Sequence, residues 1–417
     1  MWNVLSLTVA LLVVTAEKQL EPRVVVEQLG HRDFRVRVKA LESLRQMGPL
    51  ALPALRQARD HKDPGVRKAV RELTAELEHA ALLAPKRVTI RMHNAKVADV
   101  IEALRKQSGY RIDCWGADDS RRLNLNMDRV PFWVAVEQIG RGGGVWIMPM
   151  HGDRRIILQR ADHVTPYFSQ QGAFCLAAVR FEEHSRLDLA RTGKPTNPPA
   201  LSRNLTLFLA LMAEPRLPIV RVGPPELLAV LDDRKNSMIP GPSTDRNEGR
   251  PYRYYHSGHA ATCCDVPVDL VRGKDSRSIA EIRGQVPVTL LLEEKEVVLT
   301  DKILQARGKV FESGDLRLTV LSVEKKNPAC WTLKLTISSK AAGDDSWSNS
   351  LYNRLSLVDS KGQKMGSMGG GWGGNGGVIN AEFNYQVTGN DPARLVFTSW
   401  TTVAHQVRFE FRNLPLP

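Results

Sequence analysis

Residues 88–112 read VTIRMHNAKVADVIEALRKQSGYRI, and residues 123–147 read LNLNMDRVPFWVAVEQIGRGGGVWI. The two stretches align without a gap at an offset of 35, with four of 25 positions identical: Met92/Met127, Glu102/Glu137, Gly109/Gly144 and Ile112/Ile147. Pattern carries the match more than identity does. Val88/Leu123, Ile90/Leu125 and Met92/Met127 alternate as strand residues do. Val97/Phe132, Val100/Ala135, Ile101/Val136 and Leu104/Ile139 then recur at helical spacing. Gly109/Gly144 falls where each helix must stop, in the place a left-handed cap wants. Tyr110/Val145 and Ile112/Ile147 begin the next strand, and Arg155–Gln159 supplies a closing strand after a His151-Gly152-Asp153 turn. The spacing therefore predicts strand, helix, strand, twice over.

That order resembles the short N-terminal domain of secretins and TonB-dependent receptors. The residues that carry the resemblance are the strand VTIRM, the helix VADVIEALRKQSG, the strand LNLNM, the helix start VPFWVAVEQI and the closing hairpin VWIMPMHGDRRIIL. It covers residues 86–160. It implies a periplasmic docking domain without catalysis. Neither a receptor plug nor room for a large barrel follows it, so transport is not implied.

Upstream, residues 17–83 read as helices. Asp63-Pro64 is a helix start, with Asp as N-cap and Pro at the first helical position, and Val66, Ala69, Val70, Leu73 and Leu77 follow at helical spacing. Asp33 precedes Val36, Ala40, Leu41, Leu44 and Met47 in the same way, and Gly48 ends that helix. Asp33-Phe-Arg-Val-Arg lies over Asp63-Pro-Gly-Val-Arg at an offset of 30. A repeat of this period means stacked helix pairs. The Asp-x-x-Val-Arg pattern resembles HEAT repeats, which implies protein binding or scaffolding and no chemistry.

The first residues, MWNVLSLTVALLVVTA, hold an apolar run from Val4 to Ala16. It is too short to span a bilayer as a helix and fits the core of a signal peptide, although no Lys or Arg precedes it. We expect residues 1–16 to be a signal peptide and the protein to be periplasmic or secreted. No later segment is apolar enough to span a membrane.

Residues 161–417 read as β-structure. Trp331, Leu333, Leu335 and Ile337, then Ala381, Phe383, Tyr385 and Val387, then Val407, Phe409 and Phe411 alternate with polar residues, as in an antiparallel sandwich with one wet face. A β-rich domain over 161–300 and a β-sandwich domain over 301–417 are expected. The whole fold is read as multidomain α+β: a short α-solenoid, a duplicated βαβ domain and an antiparallel β-sandwich region.

Over its 417 residues the chain carries a net charge of +13, which favours acidic partners. The excess is spread along the sequence rather than gathered in one aromatic-interleaved stripe, so nucleic acid is not expected as a partner. The five cysteines, Cys114, Cys175, Cys263, Cys264 and Cys330, are too few for a disulfide framework in a chain this long.

Several clusters have a chemical and a plainer reading. His256, His259, Cys263 and Cys264, followed by Asp265, contain the residue types of a zinc site. Adjacent cysteines point apart in extended chain, however, so a polar loop with incidental thiols is the plainer reading. Gly140, Gly142, Gly143 and Gly144 follow a helix rather than precede one, which is the wrong end for a phosphate loop. Met365–Gly377, with eight glycines around Trp372, reads as a flexible hairpin loop or linker, with Trp372 as a contact residue if the loop meets a partner. Trp331 and Trp400 lie in strand patterns and read as core. Glu182-Glu183-His184 has acid–base groups in what reads as a solvated strand end. No nucleophile-elbow, zincin or Walker motif occurs.

Together these readings give an exported, non-enzymatic docking or scaffold protein of the bacterial envelope, without cofactor. Its expected partners are envelope proteins and, second, an acidic cell-wall polymer. The alternative is a polysaccharide- or peptidoglycan-binding protein acting through the C-terminal sandwich region.

Overall fold

The computed structural model describes residues 21–118, 120–148, 154–188, 200–241, 260–273, 275–340, 346–375 and 377–417. His256 and His259 lie outside them, as does the Val4–Ala16 run. The chain divides into two compact units, residues 1–84 and 85–417.

The first unit contains α1 (Pro22–Gln28), α2 (Phe34–Met47), α3 (Leu52–Gln57) and α4 (Pro64–Leu83). Asp33 and Asp63 cap α2 and α4 through the amides of Arg35 and Gly65, at 2.8 and 2.7 Å. The repeat is wider than Asp-x-x-Val-Arg. His31 and His61 each accept from the amide two residues on, at 3.0 and 3.1 Å. Arg37 and Arg67 fold back onto the carbonyls of His31 and His61, at 2.8 and 2.7 Å. Two turns thus use the same three side chains to satisfy a helix start that would otherwise leave amides unpaired. Val25, Leu44, Leu55, Val66, Val70 and Leu73 share one small core.

The second unit begins with β1 (Arg87–Lys96), α5 (Val97–Ser108), β2 (Ile112–Trp115), β3 (Arg122–Pro131), α6 (Phe132–Gly143), β4 (Val145–Met148) and β5 (Ile156–Arg160). Gly109 and Gly144 close the two helices in the left-handed region, at φ 73° and 61°. The strands do not close as two βαβ crossovers. β1 pairs antiparallel with β3 in one sheet, while β2 and β4 flank β5 in another. The equivalent strands of the two halves thereby share a sheet, each half sending its first strand to one sheet and its second to the other, and both helices bury their apolar faces in a common core.

The remainder comprises β6 (Phe168–Gln171), β7 (Phe174–Asp188), β8 (Ala200–Ala213), β9 (Ile219–Val222), β10 (Glu226–Asp232), β11 (Cys263–Leu270), β12 (Ser278–Thr300), β13 (Val310–Ser313), β14 (Leu316–Asn327), β15 (Cys330–Ser339), the single turn α7 (Leu351–Arg354), β16 (Leu355–Asp359), β17 (Ser367–Asn375), β18 (Val378–Gln386) and β19 (Pro392–Pro415). The expected α+β class with an α-solenoid is therefore corrected. Among the described residues the protein is mostly β, with 51% of them in strands arranged in five sheets. Among the same described residues no α-helix other than α7 follows residue 143, and the long segments after it pair strand with strand.

These strands form two copies of one sandwich. Sheet order β6-β7-β8-β11 recurs as β13-β14-β15-β18, the latter extended by β17. The first hairpins correspond residue for residue at an offset of 142. Gly172 and Gly314 turn at φ 56° and 58°, Phe168 pairs with Ala177 as Val310 does with Thr319, and a bulge falls at Ala178/Arg180 and at Val320/Ser322. Thr206 donates to Asp269 and Thr332 to Asn384, each at 2.8 Å. The clearest copy is a turn at an offset of 127. Buried Asp232 accepts from the amides of Arg234 and Asn236 and from Ser276 and Asn236 side chains. Buried Asp359 accepts from the amides of Lys361 and Gln363 and from Thr388 and Asn390.

The copies share a sheet of order β10-β12-β19-β16. At its centre β12 and β19 pair antiparallel from Ser278↔Pro415 to Thr300↔Leu395. The outer face of the first copy, with Cys175, Ala177, Ala210, Met212 and Cys263, is buried against the residues 88–158 core. The matching positions of the second copy are Arg317, Thr319, Thr336, Ser338 and Val378, and none of them is buried. Apolar side chains in the first copy and mostly polar ones in the second go with which sandwich face is covered.

Candidate functional site

Trp372 lies on a strand rather than in a loop. β17 pairs along β18, from Ser367↔Tyr385 to Asn375↔Val378, and is the outermost strand of its sheet among the described residues. The glycines make that pairing possible. A Cβ on Gly370 or Gly374 would fall on the carbonyl oxygen of Glu382 or Val378, whereas one on Gly371 or Gly373 would meet nothing. Trp372 sits opposite Ala381, whose side chain belongs to the sandwich core. Cross-strand partners share a face, so the indole stands at the rim of the sandwich and is 39% exposed. Met368 and Val378 at the two ends are exposed as well. The result is a nine-residue strand whose outer edge has no strand beside it among the described residues, with an apolar side chain at its middle.

Trp331 is buried in the core of the second copy. Trp400 is partly buried, and its ring lies 4.7 Å from the Arg354 guanidinium carbon, which also stacks on Phe397 at 4.4 Å. Burial there lowers the Arg354 pKa to about 10.

Cys263 and Cys264 are neighbours on β11 and are both buried. Alternation sends them to opposite faces. Cys263 enters the core with Cys175, while Cys264 faces into the first sandwich. Burial pushes the Cys264 thiol up to about 12 and raises Cys263 and Cys175 as well. These thiols act as small apolar side chains. Among the described residues no three His, Cys, Asp or Glu side chains converge as a metal site.

Glu182, Glu183 and His184 run along β7. Glu182 pairs with Arg180 at 2.7 Å and lies 3.4 Å from His184, and Glu183 pairs with Arg272 at 3.0 Å. Consecutive strand residues face opposite ways, so the two carboxylates do not converge. Gly140, Gly142 and Gly143 admit close neighbours: a Cβ on Gly140 would press on the Val145 carbonyl and one on Gly142 on Leu123.

One constellation is absent from the sequence reading because its parts are far apart in the chain. Arg111 follows α5, Arg154 and Arg155 precede β5, and Arg216 follows β8. With Tyr110 and Pro215 they border a solvent-open depression of about 300 Å³. Beneath it Glu214, fully buried, accepts from the Tyr110 hydroxyl at 2.7 Å, from Arg216 Nε at 3.0 Å and from the Lys86 amide at 2.9 Å. Burial is the main reason the Tyr110 hydroxyl stays protonated, and the Glu214 carboxylate beside it adds to the effect. Arg155 pairs with Asp113 at 3.0 Å and Arg154 with Glu294 at 2.6 Å.

No family model, no curated protein and no solved structure matches the chain. Among the described residues no helix is long and apolar enough to cross a membrane.

Proposed function

We propose that the protein is an exported, non-enzymatic docking protein of the bacterial envelope, and that its second sandwich accepts an extended segment of a partner along β17. The observation that carries this reading is the open β17 edge. A strand edge offers a row of amides and carbonyls to a further strand, and strand addition combines that backbone pairing with side-chain pockets at alternate positions. Native edges are commonly blunted by Lys, Pro or an inward charge. β17 has none of these between Ser367 and Asn375, and its glycines leave the backbone open. Trp372 supplies an aromatic anchor of the kind that dominates interfaces. The Val4–Ala16 run supports export. The outward residues of β15 and β18 that are not buried are Lys334, Thr336, Ser338, Val378, Asn380, Glu382, Asn384 and Gln386, none of them aromatic, so that face is not the aromatic platform a polysaccharide reader presents.

The test is photo-crosslinking from positions 371 and 373, where added side chains meet no neighbour, in an envelope extract, with the adducts mapped by mass spectrometry. The expected result is one partner protein. Its crosslinked residues should be two apart, and capture should be lost in Trp372→Ala and in a Gly373→Lys variant. Capture unchanged by both variants, or retention on cell-wall polysaccharide with no protein adduct, would overturn the reading.

A further inference from the structure

We propose that the arginine-lined depression between α5, β5 and the turn after β8 binds a phosphate-type oxyanion carried on a small organic group, of the size of glycerol phosphate. Four arginines, Arg111, Arg154, Arg155 and Arg216, border one space. Like charges brought together repel unless anions offset them. Among the described residues Asp113, Glu214 and Glu294 pair with Arg155, Arg216 and Arg154, whereas Arg111 is exposed and no ion pair is found for it there.

Arginine is the side chain suited to this task. Its planar fork presents several N–H groups to the oxygens of a tetrahedral anion, where lysine offers a point charge. The wall is also held in place before any ligand arrives. Glu214 is fully buried and ties Arg216, Tyr110 and the Lys86 amide together. A fixed Arg216 loses less freedom on binding than a free surface arginine would. The space, about 300 Å³, is a depression open to solvent, with room for a phosphate and a small organic group that stays partly in water. The same chemistry is available from a free phosphomonoester or from a lipid headgroup, and one group, glycerol phosphate, exists in both forms.

The experiment is isothermal titration of the whole protein with glycerol 3-phosphate, together with flotation on phosphatidylglycerol and on phosphatidylcholine vesicles. The variants are Arg111→Ala, Arg154→Ala and their combination. Arg216 is left intact, because its loss would strand the buried Glu214 charge. Arg317→Ala, on the exposed face of the second sandwich, is the control for general positive charge. The expected result is saturable binding, weakened by about tenfold or more for each guanidinium removed and unchanged in the control. Binding to phosphatidylglycerol alone, lost in the double variant, assigns the site to a headgroup. Absence of binding to either form by the folded wild-type protein overturns the proposal. So does binding that the double variant leaves intact, or that the control weakens equally.

Discussion

Asp232 and Asp359 show what one buried carboxylate does in this fold. Each sits at the end of a strand whose next residues must reverse direction, and each gathers the amides of that reversal onto its oxygens. Four donors to a carboxylate favour its ionised form. The Asp232 pKa is accordingly lowered to about 2, with the Ser276 hydroxyl the largest cause. Asp359 is lowered too, first by the Gln363 amide. The sign follows from linkage. A folded pKa below the ordinary value of about 3.9 stabilises the fold at any pH above that value. The stabilisation is lost as pH falls towards about 2. Asp232→Asn keeps the shape but not the charge. We expect its urea midpoint to fall below wild type at pH 7, and the gap to narrow steadily between pH 4 and pH 2. A gap independent of pH in that window would show that shape alone holds the turn. In the sequence this residue looks like any turn Asp; its fourfold bonding depends on Ser276, which is 44 residues away.

At the scale of elements, β17 separates what glycine permits from what it requires. Gly370 faces the Glu382 carbonyl so closely that a methyl group cannot be inserted, while Gly371 faces open space. Gly370→Ala should therefore cost about 1–3 kcal/mol, the range for overpacking. It should also speed hydrogen exchange along residues 367–375. Gly371→Ala should stay within about 0.5 kcal/mol. Equal effects would mean that the glycines act only through chain entropy. The strand is not legible in the sequence because the five glycines among its nine residues contribute no period-2 apolar pattern, and its pairing is set by β18. By contrast, Val97–Leu104 and Phe132–Ile139 are helical in the structure, where amphipathic spacing and a closing glycine reinforce each other. What periodicity could not give was the sorting of β1 and β2 into different sheets, because sheet partnership is a property of the tertiary core.

For the whole molecule, the decisive feature is the join between the two sandwich copies. The duplication was written in the sequence as Leu228-x-x-x-Asp232-x-Arg234-x-Asn236-x-Met238 against Leu355-x-x-x-Asp359-x-Lys361-x-Gln363-x-Met365. Loops of unequal length change the offset from 142 to 127 between strands, so no single ungapped comparison finds it. A reading strand by strand places a domain boundary near residue 300 for the same reason. The end of β12 does lie there, yet β12 continues to pair with β19 throughout its length, and β19 in turn pairs with β16. Each copy therefore completes its sheet with the other's long strand. Separating them would expose two strand edges of more than 20 residues each, together with the apolar residues Val286, Val288, Val407 and Phe409 that line them. Hydrogen bonds and apolar burial along that seam do not depend on the covalent connection at residues 301–309. We therefore expect a protease site inserted between the exposed residues Arg307 and Gly308 to be cleavable without dissociation. The two fragments should co-elute in native gel filtration, separate only in denaturant, and melt in one cooperative transition at a midpoint close to that of the uncut chain. Fragments that part in native buffer, or that melt at two well-separated temperatures, would show instead that each sandwich is stable alone and that the shared sheet is a contact between independent domains.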